Sequence, residues 1–423
     1  MTEVTETKSE QASEQNLNIF MRNITQIMDR LEEIQKKIGP PDFGNTGTGL
    51  KGSLLKLFEA CCPLSRKQSD DQLWEEHQRI RTLLEDEFIP KSNNISDTFS
   101  RRNRSISIET LFDDLVKSGA NLSKLRLEFV GGEVRVIAKE NIDPMTPLAM
   151  IPTSSIILAD FFSQHEGLNH LVNKDPILSS MHNILLAYGL LIEFYRGQDS
   201  SFYNYIQALP DCYENSYYYS LEDLKLLRGS ASFRDALNNW KSAVRQYAYF
   251  HLKIVETMEG GEDLKDRQYM EKFQIASRFC FEDYRWAVAT VAAKSLSIPS
   301  LGPHSINLAL IPIIDLLKHS NTVTSFNYES QERLLVVSNG FEMLSGEEVS
   351  IFYGARTNSQ FVLNHGFFYE ENIHEFCMIR IPLKDTSTKV VKHSLLGKLG
   401  ISELNGIPWG NVDRRYCLLY ENL

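Results

Sequence analysis

The run Leu308-Ala-Leu-Ile-Pro-Ile-Ile-Asp-Leu-Leu-Lys-His-Ser320 and the later run Glu348-Val-Ser-Ile-Phe-Tyr-Gly-Ala-Arg-Thr-Asn-Ser-Gln-Phe-Val-Leu-Asn-His-Gly-Phe367 carry the reading of this chain. The first is apolar up to Asp315 and turns polar at Lys318, His319 and Ser320, the pattern of a buried segment whose end delivers polar groups to a cleft. In the second, Glu348 to Phe352 alternates as a strand does and runs into Tyr353-Gly354, where a hydroxyl can face a ligand. Asn358 to Asn364 predicts a short helix. Two separated blocks of aromatic, imidazole and amide groups make chemical sense together if the fold brings them into one pocket, and a cofactor pocket is the natural reading.

Working outward, 423 residues allow a large core and two or three structural units. A net charge of −11 argues against a surface built to coat nucleic acid or anionic membrane. No apolar run approaches the ~20 residues that span a bilayer; Asn183 to Phe194 predicts a core helix instead. Met1 to Glu14 is polar and acidic, without the pattern of a secretory signal, so the expected location is the cytoplasm, with the nucleus as a second compartment. The six cysteines include no Cys-x-x-Cys pair and no histidine spacing that would hold zinc.

A helix is expected from about Asn18 to Lys37, where Ile24, Ile27, Met28, Leu31 and Ile34 share a face and Gly39-Pro40-Pro41 ends it. Gly44 to Gly52 reads as a linker. Pro90 to Ser107 reads as a polar loop in which Arg101, Arg102 and Arg104 form a solvated charge cluster. Leu125 to Ile137 alternates as two strands around Gly131-Gly132, the dipeptide of a tight hairpin. Helical patterns then run from Asp160 to Ala293. No Walker-type loop and no internal repeat occur.

The order and spacing of the two opening blocks resemble the SET domain of protein methyltransferases, in its Rubisco large-subunit methyltransferase-like branch, whose motifs read Asp-x-x-Asn-His and Tyr-Gly-x-Arg-x-Asn. Three further segments are similar to the actin-histidine methyltransferases of that branch: Trp74-Glu-Glu-His-Gln-Arg-Ile-Arg-Thr-Leu83, Arg245-Gln-Tyr-Ala-Tyr-Phe250 and Phe281-Glu-Asp-Tyr-Arg-Trp-Ala-Val288. The resemblance runs roughly from Leu73 to Ile381. It implies an α+β SET-domain fold of short β-sheets with a large helical insert at about 160–293. The implied organisation is an N-terminal helical and linker region at 1–70, a helical lead-in at 71–121, the SET domain at 122–354, and a post-SET helix with the remnant of a truncated C-terminal substrate-binding domain at 355–423.

The same resemblance implies S-adenosyl-L-methionine as cofactor, actin as protein substrate, and a monomeric chain bound to neither nucleic acid nor membrane. Carried over residue by residue, Tyr353 is the catalytic tyrosine. Gly132, Glu133, Val134, Lys294, Asp315, Lys318, His319, His365 and Phe367 fall on the cofactor site, and Leu296, Ile314 and Arg356 on the substrate site. Methyl transfer needs a neutral nitrogen lined up behind the methyl group, and positioning is the enzyme's main contribution.

The departures from the pattern matter as well. Where the family hairpin reads Glu-Gly-Phe-Gly-Leu, with glycines that let the backbone approach the cofactor, this chain has Gly132-Glu133-Val134-Arg135-Val136, unless a short slip brings Gly131-Gly132 into use. Lys318 replaces the motif asparagine; two like charges ~4 Å apart at an effective dielectric near 20 repel by about 4 kcal/mol, and a lysine relieves this by swinging its head to water. Lys294 and Ile108 stand where the family has arginines beside the cofactor. Leu296 replaces the asparagine that holds the target imidazole, and Ile314 a tryptophan. Three readings therefore stay open: a protein-histidine methyltransferase, a protein-lysine methyltransferase, and a SET-fold binding module without activity.

Overall fold

Six residues either side of Gly131-Gly132 zip into an antiparallel hairpin, β1 (Leu125–Val130) and β2 (Glu133–Ala138), with Val130 opposite Glu133 and Leu125 opposite Ala138. Both glycines have positive φ (61° and 89°), the turn geometry that matches strand twist and that side chains resist. This computed structural model describes residues 49–62, 68–88, 94–100, 102–163, 165, 175, 178, 181–260, 264–299, 306–329, 333–378 and 406–408. The expected helix at Asn18 to Lys37 lies outside them.

Before the hairpin the described residues hold four helices: α1 (Gly49–Cys61), α2 (Asp70–Phe88), α3 (Asn94–Phe99) and α4 (Arg104–Lys117). Two expectations are corrected here. Gly49 to Gly52, read as linker, is the first turn of α1, and the supposed loop Pro90 to Ser107 contains α3 and the start of α4. Asn103 caps α4 through its side chain, accepting from the N–H groups of Ser105 and Ile106. Nor are Arg102 and Arg104 solvated. Arg102 donates to the Gln207 and Leu209 carbonyls and Arg104 Nε to the Ala208 carbonyl at 3.0 Å, which satisfies the open end of a later helix.

After β2 the chain forms β3 (Pro147–Pro152), β4 (Ile157–Leu158), the helices α5 (Ala159–Ser163), α6 (His182–Arg196), α7 (Tyr203–Ala208), α8 (Leu221–Leu226), α9 (Ala231–Glu259), α10 (Leu264–Lys272), α11 (Ile275–Arg278) and α12 (Phe281–Lys294), then β5 (Leu296–Pro299) and β6 (Ile306–Leu310). β7 (Lys318–His319), β8 (Thr324–Glu329), β9 (Leu334–Asn339), β10 (Ser350–Ile351) and α13 (Asn358–His365) follow, with β11 (Phe376–Met378) and β12 (Gly406–Pro408). The strands pair as β3-β9-β8, β4-β6-β5, β1-β2 and β11-β12, all antiparallel, and β7 with β10 in parallel. β2 continues this last pair: Ala138 N–H donates to Glu347 O and Val349 N–H to Val136 O.

The chain divides into two compact units, one of Phe43–Tyr353 and Ser359–Phe368, the other of Met1–Asp42, Gly354–Asn358 and Tyr369–Leu423. The first is built around α6, on which every residue from Ile184 to Tyr195 is buried, Glu193 included. That carboxylate is held below its ordinary range because bonds from His165, Ser200 and Arg196 outweigh the burial that opposes them. In α2, His77 is 3% exposed, packed 4.6 Å from the Trp240 ring and beside Trp74, and neither ring nitrogen has a hydrogen-bond partner among the described residues. Next to it Glu76 and Lys241 form a buried ion pair at 2.7 Å. In the second unit Asn358 N–H donates to the Glu375 carboxylate at 2.7 Å, and Asn372 Nδ2 donates to the Arg356 carbonyl at 2.8 Å. No helix among the described residues is long and apolar enough to cross a membrane, and no group of their side chains could hold a metal ion.

Candidate active site

Ile311, Ile313 and Ile314 are fully buried and Leu317 nearly so, which drives the segment after β6 through the core before it can surface at Lys318. The turn is sharp: Ile313 has φ 67° and ψ −41°, a costly conformation for a β-branched residue, held by the packing around it. A 3₁₀ turn at Ile314–Leu316 then aims Asp315 inward and delivers Lys318 and His319 to β7.

Asp315 is buried, its carboxylate accepting from the Tyr205 hydroxyl at 2.9 Å and its main-chain oxygen from Lys294 Nζ at 2.9 Å. Burial raises the Asp315 carboxyl above its ordinary range, against the opposing pull of Lys294, the Tyr205 hydroxyl and Arg104; burial lowers Lys294, partly offset by the Asp315 charge. Leu296, Ile314, Tyr353 and His365 line one small cleft beside this pair, and Arg104, Tyr205 and Leu316 line another. Lys294 and Asp315 line both.

Tyr353 follows β10 and donates its hydroxyl to the Leu317 carbonyl, while its N–H donates to His319 Nδ1 at 3.3 Å. A neutral His319 therefore carries its proton on Nε2. His365 is the reverse: its Nδ1 faces the Ala293 carbonyl at 3.0 Å, an oxygen that only accepts, so Nδ1 bears the proton. The Tyr353 ring lies 5.1 Å from His365 and 5.3 Å from His319. Phe361 lies 4.6 Å from His319 and 5.0 Å from Phe367, so the rings form one cluster.

The two opening blocks of sequence thus meet, because β7 and β10 pair in parallel with Lys318 opposite Ser350 and His319 opposite Ile351. In three dimensions the backbone has the architecture of solved SET domains. It superposes on the crystal structure of the SET domain of LSMT bound to lysine and AdoHcy with a TM-score of 0.57 at 17% identity, covering 73% of this chain and 68% of that one. On Rubisco LSMT bound to AdoMet the TM-score is 0.55 at 18% identity, covering 72% and 67%. The chain has the SET-domain fold. In sequence it is similar to the actin-histidine N-methyltransferases of Callithrix jacchus and Homo sapiens, each 31% identical over 337 residues, and of Mus musculus, 30% identical over 355 residues. The alignments take in 78%, 78% and 82% of this chain but 53%, 53% and 56% of those proteins, so the chain spans about half the length of the curated relatives it matches. No family model matches it.

Within the SET domain, Lys294, Leu296, Ile314, Asp315, Tyr353 and His365 line one cleft, with the His319 and Phe367 rings against Tyr353. Other carried-over residues lie elsewhere. Glu133 is exposed at the hairpin tip beside Gly132, Val134 is half-buried on β2, and Arg356 belongs to the second unit. Gly131-Gly132 forms the turn itself, and a Cβ at either would meet nothing within 4 Å.

Lys318 is exposed and its Nζ pairs with Glu348 at 3.0 Å. The full charge repulsion expected of Lys318 therefore overstates its effect, since its head is turned to a carboxylate. Lys318→Asn is accordingly expected to change affinity for S-adenosylhomocysteine by no more than about threefold, because exposed pairs contribute little; a tenfold gain in calorimetry would restore the repulsion argument. The buried Ser320 Oγ, directly after His319, and Arg135 Nε on β2 have no hydrogen-bond partner among the described residues. Motif reading missed Tyr205, Arg104 and Phe361; for Phe361 the apolar spacing of α13 was an available signal.

Proposed function

We propose that this chain is an S-adenosylmethionine-dependent protein N-methyltransferase, with actin as protein substrate and a histidine ring nitrogen as acceptor. The observation that carries the reading is the meeting of Tyr353, Asp315 and His365 on one cleft, with His319 packed against Tyr353, in a chain similar to actin-histidine N-methyltransferases. Asp315, His319, Lys294 and Phe367 would hold the cofactor, which when bound supplies an electrophilic methyl group on a sulfonium. Tyr353 would orient the incoming nitrogen, and Leu296 and Ile314 would keep water from its path. The reading carries with it a monomeric chain in the cytoplasm, with the nucleus as second compartment; light scattering and cell fractionation test these.

A second reading, a lysine acceptor, is favoured by the apolar wall. Leu296 and Ile314 offer an imidazole no hydrogen bond to fix its tautomer, and a neutral alkylamine needs none. The deciding experiment is calorimetric titration with S-adenosylmethionine and S-adenosylhomocysteine, then incubation with actin and amino-acid analysis of the product. Micromolar binding with methylhistidine supports the first reading and methyllysine the second; no binding at millimolar ligand overturns both.

A further inference from the structure

A helix leaves its last four carbonyls without partners in the helix, and in α13, which ends at His365, three of them are taken by one short segment of the helical insert. Val362 O accepts from the Tyr219 hydroxyl at 2.7 Å, Leu363 O from Ser216 N–H at 2.9 Å and Asn364 O from Asn215 Nδ2 at 3.1 Å. Gly366 follows with φ 80° and its N–H on Phe361 O, and a Cβ there would sit 2.3 Å from the Glu214 carbonyl oxygen. Fit this close leaves only glycine. At the other end of the helix the Ser359 hydroxyl bonds that of Ser232 on α9 at 2.8 Å.

Asn215 is fully buried and reaches further. Besides Asn364 O its Nδ2 approaches Ala289 O at 3.4 Å, and its Oδ1 accepts Tyr217 N–H at 3.3 Å. Ala289 lies on α12 one turn before Ala293, whose carbonyl meets His365 Nδ1. One amide thus joins the two helices whose ends converge on His365, from outside the cleft.

We infer that Asn215 is a positioning residue for the candidate active site: by tying α12 to the end of α13 it fixes His365 and Phe367 against Tyr353. The inference rests on the proposed methyltransferase reading and assigns the segment Asn215 to Tyr219 a role in it. Asn215 touches no reacting atom and acts through His365.

The test uses the full chain. Asn215→Asp keeps size and the acceptor for Tyr217 and removes both donated bonds; Tyr219→Phe removes the Val362 bond with the ring left in place, and serves where the aspartate variant fails to fold. Tyr195→Phe, which deletes a buried hydroxyl bonded to Asp283 at 2.9 Å, is the control for general loosening. In nitrogen-15 spectra the His365 Nδ1 proton is expected to exchange at least about tenfold faster in Asn215→Asp, with a smaller change in Tyr219→Phe and none in Tyr195→Phe. Affinity for S-adenosylhomocysteine should fall about tenfold in Asn215→Asp, equivalent to about 1.4 kcal/mol. An unchanged His365 signal, or an equal change in Tyr195→Phe, overturns the inference. Wild-type chain that binds no S-adenosylhomocysteine refutes the functional reading instead, and the His365 proton still decides whether the tie exists.

Discussion

Tyr353→Phe is expected to lower the turnover number at least about a hundredfold while affinity for S-adenosylhomocysteine stays within about threefold. The split follows from what the side chain does. Its ring packs against His319, His365 and Phe367, and phenylalanine keeps all three contacts. Only the hydroxyl goes, and with it the bond to the Leu317 carbonyl, whose loss costs about 1 kcal/mol of stability. On the proposed methyltransferase reading, this removes orientation of the nitrogen in the transition state without disturbing the walls that would hold the ligand. Single-turnover rates and calorimetry on the same preparation check both halves. Turnover within fivefold of wild type would remove Tyr353 from the chemistry, and a parallel loss of affinity would make it a binding residue.

His77 carries the largest expected pH effect. Burial excludes the imidazolium, and the nearby Arg81 charge adds to that, bringing the group down to about 3. In the unfolded chain it titrates near its ordinary value of about 6.5. A depressed base of this kind stabilises the fold fully above the unfolded value, and that stability drains away as pH falls toward about 3, by up to roughly 1.4 kcal/mol per pH unit. Between pH 7 and 5 the loss is about 2 kcal/mol. Phenylalanine at this position keeps the stacking on Trp74 and the edge contact with Trp240, and forfeits no hydrogen bond to the described residues, because neither ring nitrogen makes one with them. His77→Phe should therefore flatten the fall in urea midpoint between pH 7 and 5, whatever its effect at pH 7. Parallel pH profiles for the two proteins would show that His77 protonates without cost.

Contiguous patterns were readable in advance. The hairpin announced itself by alternation about Gly131-Gly132, the buried helix Asn183 to Phe194 by its apolar length, and the strand running into Tyr353 by period two followed by glycine. The meeting of the two opening blocks was inferred from their chemistry, and the parallel β7–β10 register gives it a backbone cause. What stayed hidden has a common character. Lys318 reaches Glu348 thirty residues on, Asn215 reaches Asn364, and Tyr205 reaches Asp315; each partnership is set by tertiary folding and leaves no periodic trace. The arginines at 102 and 104 were misread for the same reason: a basic run looks solvated until the helix end it caps is in place.

The Lys294–Asp315 pair, shared by the two clefts, couples the charge of a ligand to the proton affinity of both groups. A ligand carboxylate arriving beside Lys294 would draw that amine back toward its ordinary range, and a ligand cation beside Asp315 would draw the carboxyl down. At a pH where either group titrates, such a change moves protons between protein and buffer as the ligand enters. There the measured heat of association should vary with the ionisation enthalpy of the buffer, so that titrations across pH in phosphate and in Tris differ in enthalpy while agreeing in affinity.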